Sequence, residues 1–453
     1  DVYFKENFPQ LTTTSICACN IDEGKTVTLV EKNTLVIEFA YTGSGTLVLE
    51  DSASLYQSDD EMVNTGVIHL IRKTSPVIRY DITYWSSPVK NQTMFDFSPN
   101  TLWDKYCWYD PISHWIINFS GTMNMIPGQG YSIRAPQDFS IIDRAVFEGV
   151  FKGVPNNGKI EAELKVVDGY YLIGNPYPSA ISADLFIKNN SSKIQGALYF
   201  WSHNTPPSNG KYSANDYVVY NLLGGVGITS SLNTNNYITT PDGIIASGQG
   251  FFVQSKTEGF IEFNNSLRVK TRNNTFLRPA RDSENSEKLR FWLNLNNKNN
   301  ALKQILLGYA KDASNSLDCY VAVAFGYSQE IDFYSILESK KLVIQGRAMP
   351  RDENDLIKLG YKTDLKTTLN IEIDHQDVLF KDVDIFLVDK TLGEIHNLSD
   401  GPYQFDSEAG TFNNRFSITY ANKVLNNETF DKSFDGILIS VKNHIIDIES
   451  FKE

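Results

Sequence analysis

Pro127-Gly128-Gln129-Gly130-Tyr131-Ser132-Ile133 and Ser247-Gly248-Gln249-Gly250-Phe251-Phe252-Val253 are two versions of one segment. Each is a Gly-Gln-Gly tripeptide feeding residues of strand-forming character. Glycine tolerates positive φ and close backbone approach, as a bulge or tight turn entering a strand requires. Upstream, Tyr84-Trp85-Ser86-Ser87-Pro88-Val89 answers to Leu172-Ile173-Gly174-Asn175-Pro176-Tyr177, and Tyr106-Cys107-Trp108 answers to Tyr199-Phe200-Trp201. Three landmarks recur in one order, with a longer insertion before the last landmark of the second copy. Chance supplies one such match but hardly three. The copies, 80–136 and 170–257, therefore read as related β units. Each has a strand ending in a Pro turn, a Trp-bearing strand, and a Gly-Gln-Gly entry into another strand. Together they form a tandem region over 76–277.

On the N-terminal side, 1–75 carries short β-rich runs at Thr26–Val30, Leu35–Phe39, Thr46–Leu49 and Ser54–Tyr56, separated by polar corners. That rhythm predicts either a few coils of a solenoid or a small sandwich. On the C-terminal side, 278–288 is polar and aperiodic and reads as a linker. Period-2 alternation begins at Leu289-Arg290-Phe291-Trp292-Leu293-Asn294-Leu295 and recurs through Arg415–Tyr420, predicting an antiparallel sandwich over 289–430. A final pair of strands, Ile437–Val441 and Ile445–Ile448, lies in 431–453. The expected fold class is all-β: tandem sandwich-like domains behind a short N-terminal solenoid-like or small β segment.

Composition agrees. The chain has 453 residues, enough for about three domains. It is 41% apolar and 12% aromatic, with 27 Phe, 23 Tyr and 6 Trp, a balance suited to pleated, half-buried surfaces. A formal net charge of −13 without any Lys/Arg cluster argues against nucleic acid and anionic membranes as partners. No apolar stretch approaches a bilayer span. The polar opening Asp1-Val2-Tyr3-Phe4-Lys5-Glu6 holds no signal peptide, so export implies a leader already removed.

Chemistry is sparse. His69, His114, His203, His375, His396 and His444 are scattered singly, and His114 beside Trp115 reads as structural. No His-Glu-x-x-His or Gly-x-Ser-x-Gly motif occurs. Gly43-Ser44-Gly45-Thr46 lacks a following Lys, and Gly224-Gly225-Val226-Gly227 precedes no predicted helix, so neither is a phosphate loop. Cys17 and Cys19 fall on one side of an extended segment, where free thiols, a small strained bridge or a poor zinc site are the alternatives. Asp352-Glu353-Asn354-Asp355 and Asp382-Val383-Asp384 are the densest carboxylate groups and read as solvated charge before calcium loops. Trp103, Trp108, Trp115 and Trp201 serve either as core or as a sugar-stacking surface. No catalytic, cofactor-binding or metal residue is assigned, and no cofactor is expected.

Several of these segments resemble a known class. The Trp-Ser-Ser-Pro-Val turn, the Met-x-Pro-Gly-x-Gly-Tyr strand and Gly174-Asn175-Pro176-Tyr177-Pro178 look like large Bacteroidota surface proteins exported by the type 9 secretion system. Gly45–Leu55 is similar to their solenoid-like lead-in. Ile331–Ile336, Ile344-Gln345-Gly346-Arg347-Ala348-Met349-Pro350, Leu359-Gly360-Tyr361-Lys362 and Ala409-Gly410-Thr411-Phe412-Asn413-Asn414-Arg415-Phe416 add to the likeness. The resemblance implies export to the cell surface through the outer-membrane translocon and its shuttle barrel, guided by a C-terminal sorting domain. Only the opening strands of such a domain fall in 431–453, so the gene product is expected to extend past Glu453. The expected function is a non-enzymatic surface adhesin or structural cargo, as in gliding-associated relatives. The alternatives are an accessory subunit held at the translocon or shuttle barrel, and a polysaccharide-binding surface module.

Overall fold

Alternation along the first strands decides the N-terminal architecture. Val27, Leu29, Leu35, Ile37, Leu47, Leu49 and Leu55 are wholly buried, while Thr28, Val36 and Val48 between them are not. The computed structural model describes residues 1–202, 212, 216–229, 238–273, 288–297, 301–325, 330–381, 383–421, 437–442 and 445–450. In it, β1 (Val2–Phe4), β4 (Cys19–Ile21) and β7 (Tyr41–Gly43) stack in parallel. So do β2 (Phe8–Leu11), β5 (Thr26–Leu29) and β8 (Thr46–Leu49), and β3 (Thr14–Ile16), β6 (Thr34–Ile37) and β9 (Ser54–Gln57). Three parallel stacks are three coils of a solenoid. The small-sandwich alternative is excluded.

The solenoid does not end cleanly. Strand β10 (Val67–Lys73) pairs in parallel with β8 and, on its other edge, antiparallel with β15 (Glu148–Gly153). Buried residues from Leu11 to Leu70 accordingly share one core with Trp85, Phe97, Tyr131 and Phe151.

Between β10 and β15 lie β11 (Ile82–Trp85), α1 (Met94–Phe97), β12 (Tyr106–Asp110), β13 (His114–Ile117) and β14 (Tyr131–Arg134), forming a sheet of order β11-β14-β12-β13. This is repeat A. In repeat B, β16 (Ile160–Leu164) pairs with β26 (Gly259–Phe263) and brackets the inner strands. These are β17 (Tyr170–Gly174), β18 (Ile181–Ser182), α2 (Ala183–Asn189), β19 (Ile194–Trp201), β20 (Tyr217–Tyr220), β21 (Gly225–Val226), β22 (Ile228–Thr229), β23 (Ile238–Thr239), β24 (Ile244–Ile245) and β25 (Gly250–Ser255). The main sheet runs β17-β25-β19-β20-β21, the same order as in repeat A with one strand added. Both helices follow the first strand and are capped by a hydroxyl, from Thr93 and Ser182.

Pairing corrects one detail of the sequence alignment. Ile133 lies opposite Tyr106, and its counterpart Val253 lies opposite Leu198. Tyr106 therefore corresponds to Leu198, and Trp201 to Tyr109 rather than to Trp108. Matching Trp to Trp slips the register by one, which in a strand exchanges the two faces.

The Gly-Gln-Gly segments do more than open a strand. Ser86 N–H donates to the Gly248 carbonyl at 2.8 Å, and Gly174 N–H, at the equivalent position, donates to the Gly128 carbonyl at 3.1 Å. Trp85 bridges Gln249, and Ile173 bridges Gln129. Each repeat thus lays its tripeptide against the first strand of the other. A Cβ on Gly130 would stand 2.7 Å from the Ile173 oxygen, and one on Gly250 would stand 2.9 Å from the Tyr84 Cβ. Gly128 and Gly248 hold positive φ, 84° and 74°.

The chain after β26 returns to the solenoid. Arg268, a buried residue, donates to the Leu55 carbonyl, Ser179 Oγ and Asn157 Oδ1. Its burial lowers the guanidinium to about 10. Asn273 Nδ2 reaches the Ala53 carbonyl at 2.7 Å.

The third region is one sheet of eleven strands. In chain order these are β27 (Lys288–Asn297), β28 (Leu302–Ala310), β29 (Val321–Val323), β30 (Ile331–Leu337), β31 (Lys340–Ala348), β32 (Ile357–Thr363), β33 (Thr367–Gln376), β34 (Phe386–Asp389), β35 (Glu394–Asn397), β36 (Tyr403–Ser407) and β37 (Gly410–Thr419). The sheet folds back on itself: Tyr361 of β32 packs on Phe405 of β36, 5.4 Å between ring centres, around its own core. It docks on repeat B through the glycine-rich stretch. Trp292 Nε1 donates to the Gly225 carbonyl at 2.9 Å, and Gln304 Oε1 accepts from Gly227 N–H at 3.2 Å. Strands β38 (Ile437–Lys442) and β39 (Ile445–Ser450) pair with each other and with no other described strand. Residues 278–287, expected as a linker, and 431–436 lie outside the described residues.

Gly130→Ala and Gly250→Ala force a methyl group against opposing backbone and are each expected to cost about 1–3 kcal/mol of stability. Urea unfolding measures this; midpoints equal to wild type would show that the crossing tolerates the extra volume.

Candidate functional site

Two strongly exposed aromatic rings flank the β12–β13 hairpin. Its turn is set by Asp110, whose Oδ1 accepts from Ile112 N–H at 3.0 Å and Ser113 N–H at 2.7 Å. The hydrogen bond from Ser113 holds the Asp110 carboxyl below its usual range. After β13 the chain reverses through Asn118–Gly121, with Ser120 at φ 61° and Gly121 at φ 63°. Ser120 N–H donates to the Trp103 carbonyl at 2.6 Å. This turn lays the Phe119 ring on that of Trp103, with centres 5.4 Å apart and planes 24° apart. Both rings face water, Trp103 57% and Phe119 59% exposed. Beside them Asp104 and Lys105 form a 2.9 Å ion pair, which lowers the Asp104 carboxyl.

The four tryptophans weighed from sequence therefore separate. Trp201 is buried beside Tyr84 and Tyr217, and Trp108 is half-buried. Trp103 stands out on the surface. Trp115 is 42% exposed yet touches Tyr84, Tyr109 and Phe252 on its inner side. Phe119, the partner that makes Trp103 a platform, was missed, because a loop Phe gives no periodic signal.

The histidines do not converge. His69 is half-buried, and burial with nearby Lys152 lowers its pKa. His114 Nδ1 meets Tyr109 Oη at 2.9 Å, and His396 Nε2 meets the Gly401 carbonyl at 2.9 Å. His375 pairs with Asp374 and stacks on Trp292 at 4.0 Å, while the Asp374 oxygens also accept from Asn294 and Gln304. His203 and His444 lie outside the described residues.

Carboxylates are similarly engaged. Asp355 takes two hydrogen bonds from Arg347, both 2.6 Å, and one from Tyr309 at 2.7 Å, so that loop carboxylate serves an ion pair. Asp352 caps its own turn through Asn354 N–H. Asp384 accepts from Asn397, and Asp382 lies outside the described residues. Among the described residues no three His, Cys, Asp or Glu side chains converge as metal ligands, and no helix is long and apolar enough to cross a membrane.

Cys17 and Cys19 do not share a side. The chain turns a corner between β3 and β4, which leaves Cys17 exposed and Cys19 wholly enclosed, both as free thiols. Burial pushes the Cys19 thiol up to about 12.

A polar cleft of about 520 Å³ opens on the rolled sheet, lined by Thr368, Glu394, Tyr403, Asp406 and Arg415 among others. Its floor is structural. Arg415 donates to Asp389 Oδ2 from Nη2 at 2.8 Å and packs over Phe405 and Phe416. Tyr403 Oη bridges Asp389 and Glu394 at 3.1 and 3.2 Å.

A family described as a domain of unknown function (DUF8693) matches residues 3–420. The chain belongs to this family. The DUF8693 match runs from β1 past the end of β37, so it takes in solenoid, both repeats and rolled sheet together. No curated protein and no solved structure matches the chain.

Two outcomes follow from these placements in the DUF8693 fold. Arg415→Ala leaves Asp389 buried without its cation and is expected to cost about 3–5 kcal/mol, read as a lowered urea midpoint; an unchanged midpoint would show that the cleft floor is not held by this pair. Under native conditions iodoacetamide should label Cys17 rapidly and Cys19 only on unfolding. Peptide mass mapping distinguishes the two, and equal rates would contradict the corner described above.

Proposed function

We propose that this chain is a non-enzymatic binding protein of the cell surface, an adhesin or structural cargo of the type 9 secretion system, and that it contacts surface polysaccharide through the Trp103–Phe119 pair. The observation that carries the binding reading is that stack. Two large rings held face to face in water by a strained turn serve no core. Sugars present an apolar ring face with hydroxyls around it, and the Asp104–Lys105 pair supplies an acceptor and donors beside the rings. The export reading is supported by the sequence likenesses. Arg347 and Arg415, which belong to those likeness segments, anchor the rolled sheet that precedes β38 and β39.

Covering one ring face, roughly 60 Å² of apolar surface, is worth about 1.5 kcal/mol, or about tenfold in affinity. Trp103→Ala and Phe119→Ala are therefore each expected to weaken retention on immobilised polysaccharides about tenfold at an unchanged melting temperature. Wild-type protein that no polysaccharide of a broad panel retains would remove the adhesin reading. Export is checked separately: protease applied to intact cells should release peptides of this chain, and their appearance only after lysis would place the protein inside.

A further inference from the structure

The two repeats build the same sheet, yet only repeat B has its edge covered. Pairing with β12 and β19 makes Trp115, Ile116 and Ile117 the equivalents of Tyr217, Val218 and Val219. In repeat B, β21 adds antiparallel to β20, with Val226 beside Val219 and Gly225 beside Tyr220, and Val219 is only 5% exposed. In repeat A no described strand pairs with the outer edge of β13, and Ile117 is 41% exposed.

This edge also lacks the features that protect free edges. Exposed edge strands are blunted by lysine, proline, charge or bulges. Trp115-Ile116-Ile117 has no such residue and pairs with β12 in unbroken register, and only His114, at φ 62° beside the turn, leaves the extended conformation. Its apolar face is not isolated. Trp115 touches Tyr84 at 5.8 Å and Phe252 of repeat B at 5.9 Å between ring centres, so a strand laid beside β13 continues the interface already built between the repeats.

We infer that β13 is a strand-addition site: an extended, uncharged segment of a partner protein pairs antiparallel with residues 115–117 and lays an apolar side chain beside Ile117, as Gly225-Val226 does on repeat B. Main-chain hydrogen bonds supply the affinity and alternate side chains the selectivity. The filled position in repeat B holds an uncharged Gly-Val pair, which sets the chemistry of the occupant. A second copy fits less well, because two chains of formal net charge −13 repel on approach. The edge ends two residues before Phe119 of the stack, and strand addition there does not depend on carbohydrate binding.

The probes are two blocked peptides, one with the sequence of Asn221–Ile228 and one of alternating Thr and Val, titrated into the full chain by calorimetry and followed by amide hydrogen exchange. The expected result is saturable binding that slows exchange at 114–117. Ile117→Lys should weaken it at least tenfold, whereas Ile142→Lys, at an apolar residue 80% exposed elsewhere, should leave it unchanged. The inference is overturned if neither peptide binds, if Ile117→Lys leaves binding intact, or if exchange at 114–117 does not respond. Sedimentation is the remaining arm: a wild-type dimer that Ile117→Lys dissociates would give the edge to a second copy and overturn the partner assignment.

Discussion

Everything between β10 and β26 depends on two hydrogen bonds that mirror one another, Ser86 to Gly248 and Gly174 to Gly128. Each repeat is a small sheet with a single short helix, too little to bury both of its faces. Crossing the Gly-Gln-Gly segments gives each sheet a backbone neighbour from the other repeat and brings Tyr84 of repeat A into the core of repeat B. The approach is so close that equivalent positions face each other: a Cβ on Gly174 would stand 2.5 Å from the Ser86 Cβ. Only a glycine at one of the two positions permits this, which is why the repeats are not identical there.

The same economy binds the remaining parts. β10 belongs at once to the solenoid and to the outer pair of repeat A, so neither has an independent boundary. Repeat B reaches the solenoid by Arg268 and Asn273, and the rolled sheet by Gly225 and Gly227. These are polar, backbone-directed contacts at buried positions, where an unmet donor or acceptor costs about 1–3 kcal/mol. They specify how the parts sit as well as that they adhere.

Much of the fold was legible because period-2 alternation and the three landmarks are local signals. The parallel stacking of β1 to β9 was only half legible, since irregular corners hide the coil length. The outer pairs β10–β15 and β16–β26 were invisible: their strands share no residue pattern, only a place in the topology. Cys17 and Cys19 misled because a corner separates them where the sequence looks extended. Of the candidate site, Trp103 was visible as a residue type but not as an exposed one. Phe119 becomes its partner only through the left-handed Ser120. The open edge of β13 could be recognised only by comparing two repeats whose edges differ in what covers them.

Arg268 and Asn273 have a consequence for the order of events in synthesis. The backbone they meet, at Leu55 and Ala53, is made some two hundred residues earlier. At ribosomal rates of about 5–20 residues per second, the solenoid waits roughly 10–40 s for its last contacts. During that interval the β3-β6-β9 side of the coils stands without the segment that later lies against it. The coils are thus translated well before the segment that completes them, and the nascent chain has most need of a holding chaperone there.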